Sequence, residues 1–185
     1  RDLLHYCELG ELLRLDGQIA ESQKEWMTAD ATVQAWENTA RTDPAKLLPG
    51  VAAYAVNEKL RPYEGHDYEK VMLTTRIALN HLALGDWDNA RVEIKKTHER
   101  EAVIAALRAR QLEQIERDAK SRGAKTQYRE INGYPVATLD TPDVAALRNS
   151  YQSAFSHYLA GFVYEALGEP GLAAAGDRQA IELQP

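Results

Sequence analysis

Three stretches of the chain repeat one pattern of small and large positions around a central glycine. The three glycines are Gly17, Gly85 and Gly168. Small residues lie seven positions before each glycine and five and twelve positions after it: Gly10, Ser22 and Ala29; Ala78, Ala90 and Thr97; Gly161, Ala173 and Ala180. This pattern predicts two helices that are joined by a glycine turn and pack closely against each other.

Large residues occupy two further columns of the same alignment. Leu13, His81 and Tyr164 lie four positions before the glycines. Trp26 and Ile94 lie nine positions after them, whereas Asp177 breaks this column in the third copy. Large side chains at these columns would fill the space between neighbouring helix pairs, which cannot bury their apolar faces alone.

The spacing of the copies is typical of tetratricopeptide repeats, whose period is about 34 residues. The first two glycines are separated by two such periods, and the last two by a longer stretch. The fold predicted is an all-α, irregular, tetratricopeptide-like helical solenoid. It forms a single domain over residues 1–185, with pairs at about 3–36, 68–121 and 142–185, either complete or cut from a longer chain.

The segments between the pairs predict irregular elements. Asp43 and Pro44 begin a short helix, and the apolar stretch 47–56 is expected to pack across the first pair. Asp67 is the expected cap of the next helix. A long helix without Gly or Pro runs from Trp87 to about Lys120, followed by a small β-hairpin or extended loop near 122–141. Thr141 is expected to cap the last long helix.

Composition and charge narrow the classes of partner. The net charge of −6 disfavours nucleic acid and anionic membrane surfaces, because both require a positive footprint. Hydrophobic residues make up 44% of the chain, but no apolar run is long enough for a transmembrane span. Cys7 is the single cysteine, which excludes an internal disulfide framework and predicts a buried, unreactive thiol.

Motifs for catalysis and metal binding are missing from the sequence. It has no glycine-rich phosphate loop, no nucleophile elbow and no metal-ligand spacing among its five histidines. His81 and His157 are expected to pack within helices, and His98 and the charges around it are expected to face solvent. We therefore predict no enzyme, no cofactor and no metal. A convergent cluster of His66, Asp67 and Glu69 would be needed to reverse this expectation.

The first helix of each pair is expected to line a groove. In the first copy the lining positions are Leu4, Cys7, Glu11 and Arg14. In the other two copies they form the candidate partner-binding surface: Met72, Thr75, Leu79, Leu82, Phe155, Tyr158, Phe162 and Glu165. Such an apolar lining favours binding of a peptide, a helix or an acyl chain. The alternative interpretation is that irregular segments fill the groove and these residues belong to the core.

Residues 57–96 resemble a family of bacterial proteins with tetratricopeptide-like repeats. The matching motif is YxGxDYE, here Tyr63, Gly65, Asp67, Tyr68 and Glu69, followed by ALNxLxLGD at 78–86 and ARVE at 90–93. Members often resemble exported lipoproteins, so the resemblance implies a periplasmic protein, associated with the outer membrane only through a lipid anchor outside this sequence. It implies no catalytic residue.

Two functional hypotheses follow from the groove and the resemblance. The first is a non-enzymatic scaffold of the cell envelope that binds a protein or peptide partner. The alternative is a carrier of a lipid or small apolar ligand, with the groove closed by the irregular segments. The long helix would extend beyond its partner helix and is a candidate surface for homodimer formation.

Overall fold

The computed structural model describes residues 2–42, 63, 65–123, 130–131, 134–135 and 151–184. The described chain is all-α. Its six helices are α1 (Leu3–Leu15), α2 (Ile19–Thr42), α3 (Asp67–Ala83), α4 (Trp87–Ser121), α5 (Ala154–Ala166) and α6 (Pro170–Leu183). They pack as three pairs, α1 with α2, α3 with α4 and α5 with α6.

The three repeat glycines form the turns within the pairs, as predicted. Gly17, Gly85 and Gly168 have φ values of 79°, 76° and 74°, a conformation that L side chains adopt only with strain. In each turn the amide after the glycine donates to the carbonyl five residues earlier, as in Asp86 N to His81 O at 2.8 Å. This Schellman motif satisfies the last carbonyls of the first helix and reverses the chain.

Close approach of the two helices explains the small residues of the repeat. In the first pair, a Cβ added at Gly10 would lie 2.8 Å from the Trp26 indole nitrogen. Ser22 Oγ also donates to Gly10 O at 2.7 Å. In the third pair, Gly161 leaves space for the side chain of Asp177. The glycine at this column therefore accommodates the residue nine positions after the turn, whether it is apolar or acidic.

The first helices of the pairs lie side by side. Arg14 on α1 donates to the side-chain oxygen of Asn80 on α3, and Asn80 donates in turn to Ser22 on α2 at 3.0 Å. Between α3 and α5, the hydroxyls of Thr75 and Ser156 are 2.7 Å apart. One apolar cluster packs α2 against α3 through Trp26, Ala29, Val33, Leu73 and Ile77. Another joins the second and third pairs through Ala78, Ile94, Leu159, Ala160, Val163, Tyr164 and Ala173.

The prediction that the charges on α4 face solvent is wrong for two of them. Glu93 and Arg100 are buried. Arg100 lies 2.7 Å from Asp30 and 2.8 Å from Glu37, both on α2, and also donates to Lys70 O. Because α4 packs between other helices here, its periodicity places these side chains inward. Glu93 Oε1 lies 2.6 Å from Lys96 Nζ, so each of the two buried charges has a partner of opposite charge.

Several local predictions differ from the structure. His66, not Asp67, is the N-cap of α3, and Asp67 is its first helical residue. The last pair does not begin as one long helix from residue 142, because 151–153 are non-helical and Ser153 caps α5 by accepting from Ser156 N. Three further predictions lie outside the described residues: the short helix that begins at Asp43 and Pro44, the packing of 47–56 and the Thr141 cap.

The predicted β-hairpin near 122–141 is not an element of the described fold. Within that stretch the structure describes only two strands of two residues, Glu130–Ile131 and Tyr134–Pro135, which pair antiparallel. Pro135 has no amide hydrogen to extend the ladder. The pairing is limited to two residues in each strand, and the predicted turn at Asn132-Gly133 lies outside the described residues.

Candidate partner-binding groove

Helix α5 carries a row of exposed aromatic side chains. Phe155, Tyr158 and Phe162 are 47%, 61% and 46% exposed and follow the i, i+3, i+7 spacing of one helix face. The opposite face of α5 packs on α3, α4 and α6 through Leu159, Ala160 and Val163. The three aromatic residues predicted on this helix therefore lie on its free side, where they form an aromatic row. Glu165, one turn beyond Phe162, is also exposed.

The second pair contributes less to this surface than predicted. Met72, Leu79 and Leu82 are half-buried, and the two leucines pack against the cluster that joins α3 to α5. Thr75 is 1% exposed and bonded to Ser156, so it belongs to the contact between helices and is not available to a partner. Burial of Thr75 follows from the close approach of α5, which the sequence pattern of α3 alone does not reveal.

A cavity of about 460 Å³ lies between α1 and α3. Leu4 and Cys7 of α1 and Met72 of α3 line it, together with Glu11 and Arg76 at its polar side. Glu11 Oε1 lies 3.5 Å from Arg76 Nη2. Three of the four groove positions predicted in the first pair therefore line a pocket separate from the aromatic row. Arg14 instead bonds to Asn80.

The predicted motif residues surround the start of α3. Glu69 Oε2 accepts from the Tyr63 hydroxyl and from His66 N, which closes a capping interaction at the helix start. The hydrogen bond to Glu69, together with burial, raises the pKa of Tyr63 to about 12. Gly65 has a φ of 74°, which allows the chain to turn into α3. These residues therefore have structural partners, and Tyr63 and Tyr68 also line the α1–α3 cavity.

Asp67 and His66 are likewise engaged in contacts that stabilise the helix start. Asp67 lies 2.7 Å from Arg108 and 3.6 Å from Lys70. Its negative charge in the first turn also interacts favourably with the helix dipole. The His66 ring stacks on Tyr68, with 5.5 Å between centroids. The side chains of His66, Asp67 and Glu69 therefore contact different neighbours and do not form one open site.

The sequence patterns did not reveal a stacked histidine pair between α4 and α5, in which His157 is buried and His98 is half-buried. The rings of His98 and His157 stack with centroids 4.9 Å apart, and His157 Nε2 lies 3.0 Å from Glu101 Oε2. Burial, and then the neighbouring His157, lower the pKa of His98. Packing of His157 is as predicted, whereas His98 is half-buried against His157 and is not fully exposed to solvent as predicted. Only the placement of α5 brings the two rings together, since they are far apart in sequence.

Comparisons with known proteins assign no family to this chain. No family model, no curated protein and no solved structure matches it. Among the residues that the structure describes, no group of three or more His, Cys, Asp or Glu side chains is arranged to hold a metal ion. None of the described helices is both long enough and apolar enough to cross a membrane.

Proposed function

We propose that this chain is a tetratricopeptide-like helical solenoid that acts as a non-enzymatic scaffold and binds a protein or peptide through its first helices. The aromatic row on α5 is the observation that carries this proposal. Helix pairs joined by equivalent turns, with their first helices adjacent, are the arrangement from which such solenoids are built.

The energetics of the aromatic row favour a binding role. Full burial of a Phe side chain is worth roughly 1.5–3 kcal/mol. Phe155 and Phe162 leave about half of their surfaces in water, and Tyr158 leaves more. Aromatic side chains that combine a large apolar surface with a polar tip are enriched among the residues that dominate binding energy. Phe162 also contacts Trp87, with 5.9 Å between ring centroids, which extends the apolar surface towards the start of α4.

The proposed location is the periplasm of a bacterial envelope. Support for it comes from the likeness of residues 57–96 to repeat proteins that resemble exported lipoproteins. Attachment to the outer membrane would then depend on a lipid anchor outside this sequence. A protein or peptide of the envelope is the partner that this location favours.

Site-specific photo-crosslinking tests the proposal. A benzophenone amino acid is placed at Tyr158, and a matched probe replaces Met27, an exposed apolar residue on α2. We expect the probe at Tyr158 to crosslink one discrete protein in a bacterial envelope extract, while the probe at Met27 does not. A second variant, Phe162→Ser, should weaken that crosslink while circular dichroism shows that the helical fold is retained, because Phe162 leaves about half of its surface in water.

Two results would contradict the scaffold proposal. One is equal crosslinking from both probe positions, which would indicate nonspecific capture. The other is a stoichiometric lipid on the purified protein with no protein crosslinked at Tyr158. This second result would favour the carrier hypothesis.

A further inference from the structure

The cavity between α1 and α3 combines an apolar wall with an unsatisfied acidic group. Its apolar lining includes Leu4, Cys7 and Met72. Glu11 also lines it, and Glu11 Oε2 is buried without a hydrogen-bond partner among the described residues. A buried acceptor without a donor is costly, and a ligand that brings a donor to this point would recover that cost.

The polar groups that line the cavity favour a ligand that donates a hydrogen bond over an anion. The charged lining residues are the carboxylates Glu11 and Glu69 and the cations Lys70 and Arg76, and the lining atom without a partner among the described residues is the acceptor Glu11 Oε2. Both cations already have partners, since Lys70 lies 3.6 Å from Asp67 and Arg76 lies 3.5 Å from Glu11. Burial of the Cys7 thiol, and then the negative charges of Glu69 and Glu8, raise the pKa of this thiol to about 11.

We propose that this cavity is a binding site for a small amphiphile with one alkyl chain and an ammonium head group. The chain lies against Leu4, Cys7 and Met72, and the ammonium donates to Glu11 Oε2. A volume of about 460 Å³ corresponds to roughly 15 water-sized groups, which suits a chain of about eight to ten carbons. The site is separate from the aromatic row on α5 and does not depend on the partner that binds there.

Protection of the single cysteine provides a direct test. Cys7 lines the cavity, so an occupant should shield it from a fluorogenic maleimide. The purified chain is labelled at pH 7.5 with decylamine, with decanoate or with neither, all below their micelle concentrations. We expect decylamine to slow the labelling and decanoate of equal chain length to have a much weaker effect.

Two variants separate the role of Glu11 from general charge. Glu11→Gln should weaken protection by decylamine about tenfold, since hydrogen bonds to charged groups are among the stronger ones. Glu8→Gln removes an equal charge from an exposed position on the same helix and should change protection less than about twofold. Circular dichroism establishes that both variants remain folded.

Three outcomes would overturn the proposal. The first is equal protection by decanoate and decylamine in the unaltered chain, a comparison that needs no variant. The second is no protection by either compound. The third is an equal loss of protection in Glu11→Gln and Glu8→Gln. None of these outcomes affects the crosslinking expected at Tyr158, so the two proposals fail independently.

Discussion

The contact between α5 and α6 depends on Gly176, and replacing it with alanine tests the packing of the third pair. A Cβ at this position would lie 2.8 Å from Gly161 N and 2.9 Å from His157 O. Both atoms belong to the backbone of α5, so they cannot move without separating the two helices. Gly176→Ala should therefore destabilise the protein even though alanine is the better helix former.

The expected magnitude follows from two opposing effects. Overpacking of a close contact costs about 1–3 kcal/mol. Alanine offsets about 0.4–1 kcal/mol of this by restricting the unfolded chain. The net loss is about 1–2 kcal/mol, and at about 2–4 °C per kcal/mol for a chain of this size the unfolding midpoint should fall by about 2–8 °C.

Gly171 provides the matched control on the same helix. A Cβ there meets no atom within 4 Å. Gly171→Ala should therefore stabilise the protein by about 0.4–1 kcal/mol. Thermal unfolding of both variants is followed by circular dichroism at 222 nm. If Gly176→Ala unfolds at or above the midpoint of Gly171→Ala, the close approach of α5 and α6 is wrong.

Two further predictions concern ionisable groups at contacts between helices. The ordinary pKa of a histidine is 6.5, and folding lowers the pKa of His98 below this value. As the pH falls, His98 is therefore protonated in the unfolded state before it is protonated in the folded state. The contribution of His98 to the free energy of unfolding should therefore be full above about pH 6.5 and decrease below it. Urea unfolding at pH 7.5 and 5.5 measures this difference, and His98→Phe should make it smaller. An unchanged pH dependence would exclude His98 as its source. Arg100→Met leaves Asp30 and Glu37 without their main cation and should cost about 3–5 kcal/mol. The exposed control Arg117→Met should cost less than about 0.5 kcal/mol, and equal losses in urea unfolding would contradict the buried network.

The predicted homodimer surface on the long helix stays a prediction. Leu112 and Ile115 on the distal half of α4 are 61% and 62% exposed. Their exposure agrees with a helix that extends beyond its partner α3, which is about half as long. Sedimentation of the purified chain at several concentrations measures whether this surface joins two copies.

The candidate site was predictable only in part, and the reason differs by residue. The exposure of Phe155, Tyr158 and Phe162 follows from helical periodicity, because the opposite face of α5 is strongly apolar. Thr75 fits the same groove pattern yet is buried, since a hydroxyl on α5 approaches it within hydrogen-bond distance. The environment of His98 likewise depends on α5, whose contribution comes from far along the chain.

The sequence alone determined the helix pairs and their turns. Gly17, Gly85 and Gly168 are required by a backbone conformation that each turn adopts locally, and Gly10 and Gly161 are required by the helix that follows directly. Such constraints act over short sequence distances, so they leave a repeating pattern. Only the tertiary structure decided the burial of Arg100, the stacking of His98 on His157 and the α1–α3 cavity. These features depend on which helices pack against each other. Contacts between segments that are distant in sequence leave no periodic signal in the sequence.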